Sequence, residues 1–389
     1  MRVGVAINPM GVSIANYTNN LISELVKITN DDFEIFLIDF FTGKIIEDIS
    51  PEDNLVPIMK QVNMLSFSKI LMRQTIYSGK LQSKIIEKKI DVVHVPFLGR
   101  PAPPIPLAFS KVKVVVTNHG MANLALPKSY FYRKNDLARK MFDFTQVLQW
   151  HLIKDRLATI ITVSHSEKYN IAKNLNISLD KIRVIYHGVS DEFRPISDKR
   201  ELEETFKKYG VNQPYIFHLS AYQPKKNLVG VLKAFAVAKK KYRIPDRLVI
   251  GGKQPTIIKD ITKSLNIQDD VIFTGFIANK DLPKLYSGAK FFIFPSFHES
   301  FGLPILEAMA SGTPVITSNV FSLRELGEGV ALLVNPYNLN EIAEAMYTLS
   351  VDNVLRRKLR NKGLKKAQEF SWEVTAKKHL KVYQEALAS

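Results

Sequence analysis

The residues best placed to do chemistry lie in one string. Residues 296–316 read SFHESFGLPILEAMASGTPVI and hold two glutamates, Glu299 and Glu307, eight positions apart. Both stand among apolar residues, which sets them apart from ordinary surface glutamates. Pro304 suits the first turn of a helix, Gly312 suits its C-terminal cap, and Pro314 forbids its continuation. The short helix so predicted offers free N–H groups near Gly302 and Leu303, where a phosphate is favoured. Glu299 falls in the loop before that helix and Glu307 in its first turns. Carboxylates in such places can be acid–base groups, metal ligands or acceptors for the hydroxyls of a ribose or sugar ring.

Other candidates lie upstream. Lys225 and Lys226, in PKKN, supply two adjacent cations of the kind that can neutralise a diphosphate. Alone, a lysine pair reads equally as a solvated helix start. His119 ends the apolar run VKVVVTNHG, where a histidine is more often structural than catalytic. Gly252 follows a strand and allows close backbone approach of a flat ligand or a plain tight turn. No Asp-x-Asp occurs and the eight histidines are not spaced as ligands, so no metal site is expected.

Positioning such groups requires a scaffold. Short, continuously apolar runs recur at Val3–Ile7, Glu34–Ile38, Asp91–Val95, Val112–Thr117, Thr159–Val163 and Arg183–Tyr186. A second series falls at Tyr215–Leu219, Leu248–Gly251, Val271–Thr274, Phe291–Phe294, Pro314–Thr317 and Ala331–Val334. Continuous rather than alternating hydrophobicity suits parallel strands buried on both faces. Amphipathic helices are predicted between them, among them Tyr17–Thr29 and Asn227–Lys241, with a capping box at Asn338 and Glu341. The βα alternation implies doubly wound sheets, and the polar stretch near 187–214 separates two series. The expected organisation is a first Rossmann-like domain at 1–190, a second at 191–370, and a terminal helix at 371–389. Two such domains facing each other would form a central cleft at the carboxyl ends of their strands.

Composition is that of a folded protein, 46% apolar and 23% charged, with no cysteine and hence no disulfide or thiolate chemistry. No signal-peptide pattern and no apolar run of about 18 residues is found, which points to a cytoplasmic protein. The net charge is +17, and residues 60–156 hold 17 basic and 5 acidic groups. That concentration reads either as solvated faces or as attraction to an anionic surface. No nucleic-acid-binding motif accompanies it, so no nucleic-acid partner is expected.

ESFGLPILEAMASGTPVI resembles the E-x7-E signature of the retaining glycosyltransferase family 4 (glycosyl transferases group 1), whose members have the two-domain GT-B fold. YQPKKNLVGVLKAF, the 162–189 segment ending in YHGV, DVVHVPF, VVVTNHG and FSWEVTAKKHLKVY resemble further family segments, in the family's order. The resemblance implies an α/β GT-B fold whose C-terminal helix crosses back to the N-terminal domain, which binds acceptor. It implies transfer of a hexosyl group, mannosyl, glucosyl or similar, from a UDP- or GDP-linked sugar to a glycan or lipid-linked acceptor with retention. No cofactor or metal is implied. Glu307 would hold ribose hydroxyls, and Glu299 the transferred sugar beside the backbone of Ser300, Phe301, Gly302 and Leu303. Lys226 and Lys225 would face the diphosphate, Gly252 the base, and His119 the sugar from the other domain. Gly11 and Ser13 fall in the loop that approaches phosphates and acceptor. Here the sequence departs from the family: Ser13 and Ala15 stand where glycines often fall, and His119 is followed by Gly120 rather than Asp. Rival readings are a sugar-nucleotide epimerase of similar shape, or a non-catalytic binder of membrane surface or nucleic acid. Peripheral attachment to the inner face of the membrane through residues 60–156 is compatible with the transferase reading.

Overall fold

The structure is a computed structural model that describes residues 1–7, 12–30, 32–39, 44–47, 49, 81–96, 112–127, 147–148, 150–211 and 214–389. Two compact units result. One comprises Met1–Leu124, Tyr132–Gly188 and Trp372–Ser389, the other Ala125–Phe131 and Val189–Ser371.

The first unit is built on seven strands: β1 (Arg2–Ala6), β2 (Glu34–Asp39), β3 (Lys44–Ile46), β4 (Val92–Val95), β5 (Lys113–Asn118), β6 (Thr159–Thr162) and β7 (Ile182–Val184). Their order is β3-β2-β1-β4-β5-β6-β7, parallel throughout except for the antiparallel edge strand β3. Buried residues line both faces. Ile38, Val93, Val116 and Ile160 lie in one cluster, and Val3, Val5, Val115 and Ile161 in the other. That two-sided burial is why the strands read as unbroken apolar runs. Helix α1 (Val12–Lys27) starts earlier than its apolar stripe and buries Leu21, Ile22 and Leu25. Helix α2 (His165–Leu175) is capped by Ser164, whose hydroxyl accepts from the Glu167 N–H at 3.1 Å.

The second unit holds six parallel strands: β8 (Tyr215–Leu219), β9 (Arg247–Gly251), β10 (Val271–Gly275), β11 (Phe291–Phe294), β12 (Val315–Ser318) and β13 (Leu332–Val334). Their order is β10-β9-β8-β11-β12-β13. Around them run α3 (Lys199–Tyr209), α4 (Leu228–Val237), α5 (Thr256–Ser264), α6 (Leu282–Gly288), α7 (Leu303–Ala310), α8 (Phe321–Gly327), α9 (Leu339–Val351) and α10 (Asn353–Ala367). The sequence pattern runs α4 on to Lys241, but the chain widens into a π-helical turn over Ala238–Tyr242. Asn338 caps α9 by accepting from Asn340 and Glu341. The Glu341 carboxylate accepts from Asn335 N–H rather than closing a reciprocal box on Asn338.

The last helix, α11 (Trp372–Ala388), packs with the first unit, burying Ala376, Val382, Tyr383 and Ala386 beside α1. Two Rossmann-like units with a terminal helix returned to the first are the GT-B plan.

Candidate active site

At the carboxyl end of the second sheet, two loops are tied together. One follows β8 and folds into a single 3-10 turn, Pro224–Lys226, closed by Asn227 in the left-handed region at φ 57°. The Asn227 side-chain amide donates to the Pro295 and Pro336 carbonyls at 3.0 and 2.8 Å, pinning the turn to the ends of β11 and β13. Gly230 leaves room for that amide, since a Cβ there would come within 2.2 Å of Asn227 Oδ1. The other loop follows β11. Phe297 N–H donates to the Lys225 carbonyl at 2.8 Å. The Ser318 and Ser322 hydroxyls donate to the Ser296 and Glu299 carbonyls, both at 2.6 Å.

These anchors bring Lys226 Nζ to 2.6 Å from Glu299 Oε1, with both side chains largely buried. The ammonium also sits 4.9 Å from the centre of the Phe294 ring. Burial alone would raise the Glu299 pKa. The Lys226 and Lys225 charges and hydrogen bonds from Lys226 and Ser296 outweigh it, so the carboxyl is held below its usual range. The pair is therefore ionised at neutral pH, and the Lys225 charge adds to it.

Beyond Glu299 the backbone turns at Gly302, φ 119°, where a Cβ would lie 2.9 Å from Leu323 Cδ2. Helix α7 starts there with Pro304, which has no N–H, in its first turn and no side-chain cap, and the Ile305 N–H donates to the Gly302 carbonyl at 3.0 Å. Ser300, Phe301, Gly302 and Leu303 run from Glu299 into the start of α7. Glu307 lies one turn into α7 and meets a different partner: the Tyr286 hydroxyl donates to its Oε2 at 3.0 Å. Burial pushes the Glu307 carboxyl up to about 7, against the opposing effect of the Tyr286 hydrogen bond. The two glutamates therefore titrate in opposite directions from the usual value and keep different company, Glu299 a lysine and Glu307 a tyrosine.

Gly252, at φ 97°, has a structural explanation of its own. A Cβ there would come 2.6 Å from the Ser220 carbonyl oxygen, and its N–H donates to Gly275 at 2.8 Å. His119 belongs to the first unit. Its Nε2 lies 2.8 Å from the Pro96 carbonyl, which can only accept, so Nε2 carries the proton. Nδ1 then accepts from His187 Nε2 at 3.2 Å. Burial lowers the His119 pKa to about 4, the Pro96 hydrogen bond acting against the shift, so the ring is neutral at pH 7. Both ring nitrogens are thereby engaged. Ser13 falls within α1, and Gly11 lies outside the described residues, as does much of the basic stretch 60–156.

Sequence reasoning missed Tyr286, Ser296, Asn227 and Ser322. Their types are commonplace and their partners are distant in sequence. It also missed a buried polar cluster in the first unit. His379 Nε2 meets Tyr17 OH at 2.9 Å, His94 Nε2 meets Thr117 Oγ1 at 2.8 Å, and His94 Nδ1 meets Tyr383 OH at 2.8 Å. Among the described residues no cluster of three or more His, Asp or Glu side chains could hold a metal ion, and no helix is long and apolar enough to cross a membrane.

Residues 201–366 match the family Glycosyl transferases group 1, and residues 14–193 match Glycosyltransferase Family 4. The chain belongs to the group 1 glycosyl transferases. The two matches fall one on each unit, and the first contains Lys225, Lys226, Glu299 and Glu307. O-antigen chain mannosyltransferase B of Escherichia coli is 29% identical over 264 residues, 67% of this chain and 67% of that protein. The serotype-specific mannosyltransferase WbdA of Escherichia coli is 31% identical over 228 residues, 57% of this chain. The match spans only 28% of WbdA's length. A glycosyltransferase from Rickettsia africae superposes with a TM-score of 0.75 at 20% identity, covering 99% of this chain and 98% of its own. This likeness establishes the GT-B fold. The chain is a glycosyltransferase enzyme.

Proposed function

We propose that this glycosyltransferase moves a hexosyl group, mannosyl first among the candidates, from a UDP- or GDP-linked sugar to a glycan or lipid-linked acceptor hydroxyl with retention of configuration. The observation that carries the reading is the ionised Lys226–Glu299 pair beside the uncapped start of α7. The leaving diphosphate bears negative charge, and two adjacent lysines beside the positive end of a helix are a fixed counter-charge that needs no resident metal. Glu299 accepts hydroxyls of the transferred sugar, and Glu307 accepts the ribose diol. The bond from the anomeric carbon to the diphosphate breaks as the acceptor oxygen bonds the same face. A departing phosphate oxygen takes the acceptor's proton. Positioning and electrostatics then supply the rate. Mannosyl transfer is favoured by the relatives' activity. Cytoplasmic work at the inner face of a membrane fits a lipid-linked acceptor.

A panel of UDP- and GDP-linked hexoses, screened for thermal stabilisation, slow donor hydrolysis and anomeric configuration of the product, tests the reading. One donor should raise the melting temperature and be cleaved with retention, and chelator should leave turnover intact. An altered free sugar nucleotide formed without acceptor would establish the epimerase instead.

A further inference from the structure

Helix α10 carries seven cations, Arg356, Arg357, Lys358, Arg360, Lys362, Lys365 and Lys366, and no acid between Asn353 and Ala367. Its inner stripe is fixed in the second unit. Leu359 and Ala367 are buried, Leu355 packs on the core, and a Cβ on Gly363 would touch Met309. Its outer stripe at helical spacing is Val354, Arg357, Lys358, Asn361 and Lys365. Three of the cations have partners: Arg356 donates to the Leu349 and Ser350 carbonyls, Lys362 to the Gly329 carbonyl, and Lys366 pairs with Glu369. Arg357, Lys358, Arg360 and Lys365 have no ion pair or hydrogen bond among the described residues. Like charges four apart, Arg356 with Arg360 and Lys358 with Lys362, repel, so the helix gains nothing internally from this composition.

Two further features lie at the N-terminal end of α10. Val351 and Val354 are 55% and 69% exposed, an unusual position for apolar side chains beside a cationic face. A pocket of about 420 Å³ is lined by Lys290, Gly312, Asn353, Arg356, Arg357 and Arg360 among others. Gly312, at φ 74°, lets the Arg360 guanidinium lie across it, since a Cβ would come 3.1 Å from Arg360 Nε. Lys290 is neutralised by the buried Asp246 at 2.8 Å, which leaves the arginines as the pocket's uncompensated charge.

We propose that the outer face of α10, with Val351 and Val354 at its edge, docks on an anionic phospholipid bilayer, one headgroup phosphate entering the pocket at Arg356, Arg357 and Arg360. Guanidinium forks match phosphate oxygens, and cations with exposed apolar neighbours match the headgroup–acyl boundary. A nucleic acid would satisfy the cations but leave the valines in water. This contact is separate from the basic stretch 60–156 and independent of which sugar is transferred.

Flotation of the full chain with vesicles of equal parts phosphatidylglycerol and phosphatidylcholine, against pure phosphatidylcholine, tests it. The wild type should float with the first and not the second. Each cation at an anionic surface contributes about fivefold in partitioning, so Arg357→Gln/Arg360→Gln should bind about 30-fold more weakly. The charge-matched pair Lys259→Gln/Lys263→Gln on α5 should bind as wild type, and Val354→Ser should bind more weakly. Transfer to a soluble acceptor should be unchanged in the arginine variant, so a failed donor reading and a failed membrane reading are told apart. Equal binding by both double variants, or no flotation of wild type whether or not the chain binds RNA, would overturn the proposal.

Discussion

The two units share one plan and handle buried polarity in opposite ways. At the carboxyl end of the second sheet an ion pair, Lys226 with Glu299, is kept charged, with Lys225 adding to the field. In the first unit the cluster that meets the last helix is made of neutral rings and hydroxyls: Tyr17, His94, Thr117, His379 and Tyr383 satisfy one another, and His187 partners His119, while the unit's buried carboxylate, Glu167, accepts from the Met121 N–H and the Asn170 amide. A fixed charge suits a site that must meet the charge of a leaving diphosphate. A neutral network suits a unit whose last helix must be locked to its sheet, because a buried neutral group needs only a hydrogen bond where a buried ion needs a counter-charge.

The largest test of this contrast is Glu299→Ala. It removes the carboxylate from the charged site and should lower kcat by about 10²–10³, with Lys226→Ala comparable, in steady-state transfer assays. If neither changed turnover, the charged pair would be packing, and the two units would not differ in role.

Acid should separate the units next. His379 and His119 are depressed to about 4, and His94 and His187 well below their usual value, all chiefly by burial. Unfolded, these rings titrate near 6.5, so the unfolded chain binds more protons between the two values. The stability they contribute is complete above pH 6.5 and lost as pH falls toward 4, on the order of 3 kcal/mol for His379 alone. In the second unit His218 behaves this way. Both tryptophans of the chain, Trp150 and Trp372, belong to the first unit, so tryptophan fluorescence during acid titration reports on that unit alone. A transition beginning below pH 6.5, and flattened in His379→Gln, is expected. A flat trace to pH 4 would contradict it.

The smallest effect is expected at Glu307, where the sign reverses. Its folded-state value of about 7 lies above the ordinary 4.5, so the folded protein binds the extra proton between those values. Stability falls as pH rises through that window, and Glu307→Gln should relieve about 3 kcal/mol above pH 8 and nothing below pH 4.5. The same variant should raise the donor KM more than it lowers kcat. Melting curves at both pH values and donor titrations measure the two effects.

How much of this was readable from the letters depended on range. The central strands, β1, β4 and β5 in one sheet and β8, β11 and β12 in the other, are visible because burial on both faces leaves unbroken apolar runs. β3 is not, because three residues at an exposed antiparallel edge need no such pattern. Glu299, Glu307 and the α7 start are legible because they share one local string. The Lys226–Glu299 contact is not, since only the pairing of β8 with β11 brings those loops together. Likewise the scattered histidines give no sequence signal, yet four of them gather in the first unit around tyrosine, threonine and backbone partners.

The placement of α11 has a consequence for synthesis. The greater part of the second unit, Val189–Ser371, is inserted within the first, between Gly188 and Trp372. A ribosome therefore releases every strand of the first unit long before it delivers His379 and Tyr383, the partners of Tyr17 and His94. The stretch Val189–Ser371 is translated in between, while the earlier half waits, its interior still short of two partners, for a helix made after that stretch.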